Sequence, residues 1–451
     1  MNFPPIALSA IVLIVTFVAV ILLDAYGKRR HIKAASIAGF ALALLVAAIP
    51  GSSATLGLVR IDAFTYVFTL LFLGVGLLVT LASHEATAVY NGSVILSSIG
   101  MMLVAGANDL ILLYVSIELV TSPTYVLVAY HKTQQRMEAT VKYFIVGIVA
   151  SALLLLGLAL IVSSSGTSSI GAISFSTQPL FLLGIAAFLA GLGFKLGMFP
   201  FNFWIPDVYQ GAPSEVAGLL AGASKKAAYA ALLRVAVVIA LLHSWGVIFA
   251  VLAALTMTVA NVIALLQQNA RRLLAYSIMS QAGFLLMGVA VASRLGYSAT
   301  IFHSFTHAFM ALGAFLVLGV FFSHKIETLD QLKGLGWRNP FLGASLSIFL
   351  LSLAGIPLLS GFASKFYLIY AAVDGGMVWL AVLAVLNSVV ALYYYFRVIR
   401  AMYAYPGGGN AFHLRATTYV AIAVCVVLTV LIGVWPQPFI ELATNAANAL
   451  F

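Results

Sequence analysis

The sequence predicts an all-α polytopic membrane protein, and three observations carry that prediction. Hydrophobic residues fill 63% of the 451 positions and charged residues only 8%, where a soluble globular chain carries roughly 25% charged residues. Apolar runs near the roughly 20 residues that cross a bilayer as a helix recur fourteen times along the chain. The basic residues between those runs collect on alternate loops, the pattern that membrane insertion imposes. The net charge of +10 therefore marks topology and not a nucleic-acid surface. A lone cysteine, Cys425, excludes an internal disulfide framework and an iron–sulfur cluster held by the chain's own thiolates.

Taken in order, the segments are 4–23, 34–50, 63–82, 92–107, 109–130, 138–163, 179–203, 214–242, 246–266, 273–292, 297–322, 341–372, 377–397 and 417–435. The first has no basic residue before it and no clear small-residue cleavage site after it, so it reads as a retained helix and not a signal peptide. One set of loops holds Lys28, Arg29, Arg30, Lys33, Lys132, Arg136, Arg271, Arg272, Lys325, Lys333, Arg338, Arg397, Arg400 and Arg415. The other set holds only Arg60 and Arg294. This asymmetry predicts a multi-pass protein of the cytoplasmic membrane with both termini outside. The Ser-rich run Ser163–Ser176 reads as a flexible outer loop, and Gly407–Asn410 as a similar stretch inside. No loop is long enough for a soluble domain. The expectation is no cofactor and no metal on this chain, with any nucleotide, flavin or other redox site on partners.

Six basic residues lie within segments. Lys142 follows Glu138 at the spacing of an i,i+4 ion pair near a helix start. Arg234, about two turns from its outer helix end, is placed to snorkel toward the interface. Lys195, Lys225, Lys226 and Lys365 remain, and a lysine at a helix centre costs at least roughly 2.5–3.5 kcal/mol. Such residues mark an ion or proton path by default. Lys195 and Lys225 flank a break containing Pro200, Phe201, Trp204, Pro206, Asp207, Gly211 and Pro213. Each falls near the middle of its segment, on helices expected to be antiparallel neighbours. Lys226 points about 100° away from Lys225, which makes it the weaker candidate.

Glu118 is the only carboxylate at comparable depth. It reads either as the partner of a buried lysine in proton exchange or as half of a static ion pair. Lys365 follows a second interruption formed by Gly355, Pro357 and Gly361, so the seventh and twelfth segments share a design. Their separation predicts two five-helix repeats, 92–242 and 246–397, the second inverted. A three-helix region 1–91 precedes them, and a C-terminal helix and tail, 398–451, follow. His303 and His307, four residues apart, share one helix face. They read as a proton relay or as hydrogen-bonded core histidines, and nothing specifies the further ligand that a metal would need. Tyr393, Tyr394 and Tyr395 read as interfacial anchors.

The run KLGMFPFNFWIPDVYQGAP at 195–213, followed by GASK at 222–225, resembles the antiporter-like membrane subunits of respiratory complex I. The stretches SIEL around Glu118, ARRLLAYS at 270–277 and LAGIPLLSGFASKFY at 353–367 extend the likeness over essentially the whole chain, most like the N-type subunits. The resemblance implies a fourteen-helix subunit that translocates protons, with broken seventh and twelfth helices. By motif position Glu118 corresponds to the family's fifth-helix glutamate, Lys195 to the seventh-helix lysine paired with it, and Lys225 to the connecting lysine. Lys365 corresponds to the twelfth-helix lysine of the N-type, where the M-type typically has glutamate. Two departures stand out: HSFTHAF at 303–309 looks more like the L- and M-type siblings, and Ser364 replaces a commonly seen glycine.

The implied partners are the bilayer and other membrane subunits of a complex I-type assembly, which would hold the quinone and redox centres, with no nucleic acid. The implied enzyme is a proton-translocating quinone oxidoreductase accepting NADH or another donor, with no redox chemistry on this chain. Alternative readings are a subunit of a sodium/proton antiporter or membrane-bound hydrogenase, or a purely structural membrane subunit.

Overall fold

Helices account for nearly all the regular structure of the computed structural model, which describes residues 4–49, 51–131, 133–239, 243–408 and 411–451. Lys132, positions 240–242 of the eighth expected segment and positions 409–410 of the Gly407–Asn410 run lie outside the described residues. In chain order the helices begin with α1 (Pro5–Ala25) and α2 (Ile32–Ala47), followed by a small hairpin of β1 (Ala54–Leu56) and β2 (Val59–Ile61). Then come α3 (Ala63–Ala82), α4 (Ala88–Gly106), α5 (Leu110–Ala129), α6 (Gln134–Ser165), α7 (Pro179–Leu196), α8 (Ile205–Gly211) and α9 (Ser214–Leu219). A π turn, Leu220–Ser224, leads into α10 (Lys225–Ile239), α11 (His243–Leu265), α12 (Ala270–Ala290) and α13 (Arg294–Ser323). The chain continues with α14 (Leu335–Arg338), α15 (Pro340–Ala354), α16 (Ser360–Asp374), α17 (Val378–Tyr403), α18 (Ala416–Val434) and α19 (Gln437–Asn448).

Among the described residues, twelve helices are long and apolar enough to cross a membrane. They account for twelve of the fourteen expected segments. The other two are interrupted: the eighth by the π turn between α9 and α10, the twelfth between α15 and α16. Helices dominate because backbone groups at membrane depth must find partners within their own segment. Their ends are set by local chemistry. Asp62, Asp109 and Asn269 accept from the first free amides of α3, α5 and α12, while Gly197 and Gly355 end α7 and α15 in the left-handed region.

The chain forms two compact units. The first comprises Met1–Gly197, Ala223–Trp245 and Leu442–Phe451. Here α6 and α7 cross closely because Gly191 has no side chain; a Cβ there would come within 2.6 Å of the Ala150 carbonyl. Lys142 and Glu138 form the expected pair at 2.8 Å. The Ser-rich run departs from the flexible loop expected. Helix α6 runs on to Ser165, Ser168 donates its hydroxyl to Asp109, and Ile170 N donates to Asn108 O at 3.0 Å. The unit thus satisfies the backbone and cap at the start of α5.

Arg234 also departs from its expected place at the interface. It is 5% exposed and forms a bidentate pair with Asp62, at 2.8 and 2.9 Å. It donates as well to Ala105 O and Thr65 Oγ1 and lies over the Phe64 ring. Snorkelling loses to a carboxylate that the start of α3 already holds in place.

The second unit comprises Met198–Gly222 and Gly246–Glu441. Helices α12 and α13 form its centre, with 94% and 78% of an apolar 18-residue stretch of each buried. Arg272 pairs with Asp207 on α8 at 2.6 Å, and Arg271 donates to the Gln210 and Ala212 carbonyls and to Ser214 Oγ. These two cations in the first turn of α12 therefore fasten the Pro-rich break between α7 and α9. Tyr393 is exposed, but Tyr394 and Tyr395 are fully buried, bonded to Asn261 and Ser277 respectively. The interfacial expectation fails for those two because α17 continues to Tyr403, placing them well inside the helix.

Candidate proton-relay sites

Each unit gathers its own set of ionisable residues. In the first, Lys195 occupies the last turn of α7, since the helix ends at Leu196 and the break follows the lysine. The expected mid-segment position is therefore a helix end. That end still lies inside the protein, with the Lys195 side chain only 8% exposed. Its Nζ stands 3.5 Å from Glu118 Oε1, 3.4 Å from Thr121 Oγ1 and 3.4 Å from Ser151 Oγ. Ser151 Oγ donates to Glu118 Oε1 at 2.5 Å.

Three helices contribute: α5 brings Glu118 and Thr121, α6 brings Ser151, and α7 brings the lysine. At 3.5 Å the ion pair is longer than a direct charge-assisted hydrogen bond, typically about 2.7–2.9 Å, and hydroxyls that both donate and accept surround it. The arrangement can hold a proton on the lysine and hand it along side-chain oxygens. Glu118 is 29% exposed and borders a cavity of about 500 Å³ lined by Tyr114, Tyr125, Phe144, Ile148 and Ser151. Lys225 and Lys226 open α10, which packs on α4, α5 and α7. They are 3% and 1% exposed, so burial does not separate the stronger candidate from the weaker.

The second unit assembles His303, His307 and Lys365. The two imidazole rings share a face of α13, with centroids 5.8 Å apart. His303 Nδ1 is 2.9 Å from Ser364 Oγ on α16. Ser364 can donate to Gly361 O at 3.3 Å; in that orientation its oxygen accepts from His303 Nδ1, and Nε2 of a neutral ring is left as the acceptor.

The neighbouring Lys365 donates to Leu353 O at 2.7 Å and Ala354 O at 3.4 Å, with Ser388 Oγ also at 3.4 Å. Those carbonyls are the ones left without helical partners where α15 stops, at the negative end of its dipole. The interruption thus supplies the lysine's acceptors. Gly361 allows the two half-helices to approach, since a Cβ there would come within 1.8 Å of Ser352 O.

The structure brings Glu118 and Lys195 together, and gathers His303 with the helix of Lys365 through Ser364. Ser151, Thr121, Ser388 and Asp62 were not singled out from the sequence. Asp62 carried a legible signal, an N-cap residue before an apolar run; the hydroxyls carried none. Among the described residues, no group of three or more His, Cys, Asp or Glu converges on a possible metal site.

Buried lysines at a helix end and beside a helix break, on a multi-pass all-α chain, define a transporter-type membrane subunit. The chain belongs to the NADH:quinone oxidoreductase/Mrp antiporter transmembrane family, matched over residues 107–391. It is 39% identical over 420 residues to the F(420)H(2) dehydrogenase subunit N of Methanosarcina mazei, covering 86% of this chain and 84% of that protein. It is 37% identical over 453 residues to the NADH-quinone oxidoreductase subunit N of Moorella thermoacetica, covering 95% and 94%. A chain of respiratory complex I from Thermus thermophilus matches with a TM-score of 0.87 at 33% identity, over 97% of this chain and 99% of that one.

Proposed function

We propose that this chain moves protons across the membrane as the N-type subunit of a complex I-like quinone oxidoreductase, while electrons move on partner subunits. One observation carries the reading: a lysine buried in a membrane-spanning unit, 3.5 Å from a carboxylate and in reach of two hydroxyls. Intramembrane ionisable groups so arranged are costly as packing and suited to proton transfer. In this reading Glu118 modulates Lys195, Lys225 receives the proton, His303 and His307 relay it, and Lys365 releases it. The relatives' names join subunit N to two different donors, F(420)H(2) and NADH, which fits a chain that does not bind the donor. Quinone and redox centres then belong to the partners.

Two inverted repeats, 92–242 and 246–397, make the Lys195 and Lys365 sites counterparts, each placed next to a helix end. The protein sits in the cytoplasmic membrane with both termini outside. A cysteine at Tyr26 should then react with an impermeant thiol reagent only from the cytoplasm, and one at Leu58 only from outside; the opposite labelling would reverse the orientation.

The functional reading is tested with Glu118→Gln in the assembled complex, measuring proton uptake by membrane vesicles together with quinone reduction. Uptake should fall at least about tenfold, the effect of losing roughly 1.4 kcal/mol at the rate-limiting transfer. Unchanged uptake would leave Glu118 as a static packing pair.

A further inference from the structure

Outside the relay sites, the second unit carries a basic groove of about 460 Å³. It lies where α13 ends and α15 begins, beside the loop between α17 and α18. His324, Gln331, Lys333, Arg338 and Phe412 line it. The two connecting stretches, 324–339 and 404–415, carry the cations Lys325, Lys333, Arg338 and Arg415 against the carboxylates Glu327 and Asp330.

The groove is built from fixed parts. His324 stacks on the Phe412 ring with centroids 4.0 Å apart, and the Arg338 guanidinium lies 4.5 Å from the same ring. Phe412 is held in turn, its amide donating to Asn339 Oδ1 at 2.6 Å. The adjoining turn is pinned to the end of α17, where Trp337 Nε1 donates to Tyr403 O at 2.8 Å. Lys333 meets Asp330 at 2.8 Å, but both are exposed. Solvent screens a pair so exposed and leaves it little net stability, so another anion can take the carboxylate's place.

The geometry points to a binding site for a phosphodiester anion, the headgroup of an anionic phospholipid, held by Lys333 and Arg338 with His324 and Gln331 at its rim. Three features favour a lipid. Membrane helices α13, α15, α17 and α18 all begin or end beside the groove, which places it at the edge of the hydrocarbon layer. Trp337 and Tyr405, 61% and 47% exposed, flank it with the amphipathic rings that settle at headgroup level. Basic pockets between helix ends at such a boundary suit lipid phosphates, and an Arg beside a Lys gives one bidentate and one point-charge donor.

The test uses the assembled complex in nanodiscs of phosphatidylcholine with or without phosphatidylglycerol, with tightly retained lipid counted by native mass spectrometry. Each basic residue near a charged surface contributes about fivefold in affinity. Lys333→Gln with Arg338→Gln should therefore lower the affinity of this site for phosphatidylglycerol about 25-fold, read as the loss of about one tightly retained phosphatidylglycerol per complex. The control pair Lys28→Gln with Arg30→Gln, which removes the same charge elsewhere, should change that affinity less than twofold. Arg338→Lys should lose part of the retention while keeping the fold.

Inorganic phosphate titrated into pure phosphatidylcholine discs separates the sources. Calorimetric binding that the double variant abolishes, with no lipid retained in the wild type, assigns the same chemistry to a soluble phosphate and overturns the lipid. Equal retention in the double variant, or equal loss in the control pair, overturns the site itself. So does finding the groove covered by a neighbouring subunit in the assembled complex.

Discussion

Arg234 and Asp62 offer a perturbation whose size follows from the geometry. Both side chains are about 4% exposed and meet at 2.8 Å, where unit charges attract by roughly 6 kcal/mol at an effective dielectric of 20. Desolvation offsets much of that, but removing one partner strands the other, at a cost of about 3–5 kcal/mol. Arg60, 3.1 Å from the same carboxylate and 42% exposed, remains to shield Asp62, so Arg234→Met should lie near the lower end, about 3 kcal/mol. Asp62→Asn keeps an N-cap for α3 while removing the charge. In the double variant neither charge is stranded, so the coupling energy should be about 2–3 kcal/mol. Equilibrium unfolding of the purified protein in mixed micelles, run as a double-mutant cycle, measures it. A coupling energy of zero would mean that the pair is incidental and that α10 is held by apolar packing alone.

Three further outcomes follow from the same contacts. Ser364→Gly should slow proton uptake about tenfold, the effect of losing one positioning hydrogen bond of roughly 1.4 kcal/mol, and move its pH profile; Ser364→Thr should restore both, and an unmoved profile would remove Ser364 from the relay. Gly191→Val should force α6 and α7 apart, because a Cβ already meets Ala150 O at 2.6 Å. It should cost about 1–3 kcal/mol or more and lower proton uptake with it, whereas normal stability and uptake would refute the close crossing. His131, in the loop after α5, lies 3.3 Å from Glu85, yet burial first and Arg136 second hold its imidazole below the ordinary value of 6.5, against the pull of Glu85. Its folded form resists protonation more than its unfolded form, so its contribution to stability is present above pH 6.5 and is lost as pH falls through the lower folded value. Protection of the neighbourhood of His131 against hydrogen exchange, taken relative to the intrinsic exchange rate at each pH, should therefore fall on acidification, and His131→Gln should abolish the effect.

The helices were legible because the bilayer imposes one length and one composition on every span. The i,i+4 pair of Glu138 and Lys142 and the shared face of His303 and His307 were legible for a similar reason: helix geometry fixes both before any packing occurs. The ionisable residues at depth were visible as exceptions to apolar composition. Their partners were not. Ser151 is one serine among many until Gly191 lets α6 and α7 cross, and Ser364 gains meaning only when α13 and α16 pack. The π turn before Lys225 left no mark in the sequence, because Leu220–Ser224 suits an ordinary helix equally well. Arg234 misled because snorkelling considers one helix alone, whereas its carboxylate lies 172 positions earlier in the chain.

The central claim is that Lys195 carries a proton in a step coupled to electron transfer elsewhere in the complex. The most direct measurement is proton uptake by membrane vesicles alongside the quinone reduction rate, comparing wild type with Lys195→Met in complexes shown to be fully assembled. The account predicts that uptake is lost, with reduction slowed in parallel if coupling is tight and maintained if the variant is uncoupled. Normal uptake with normal reduction would contradict it and make the buried lysine a packing residue.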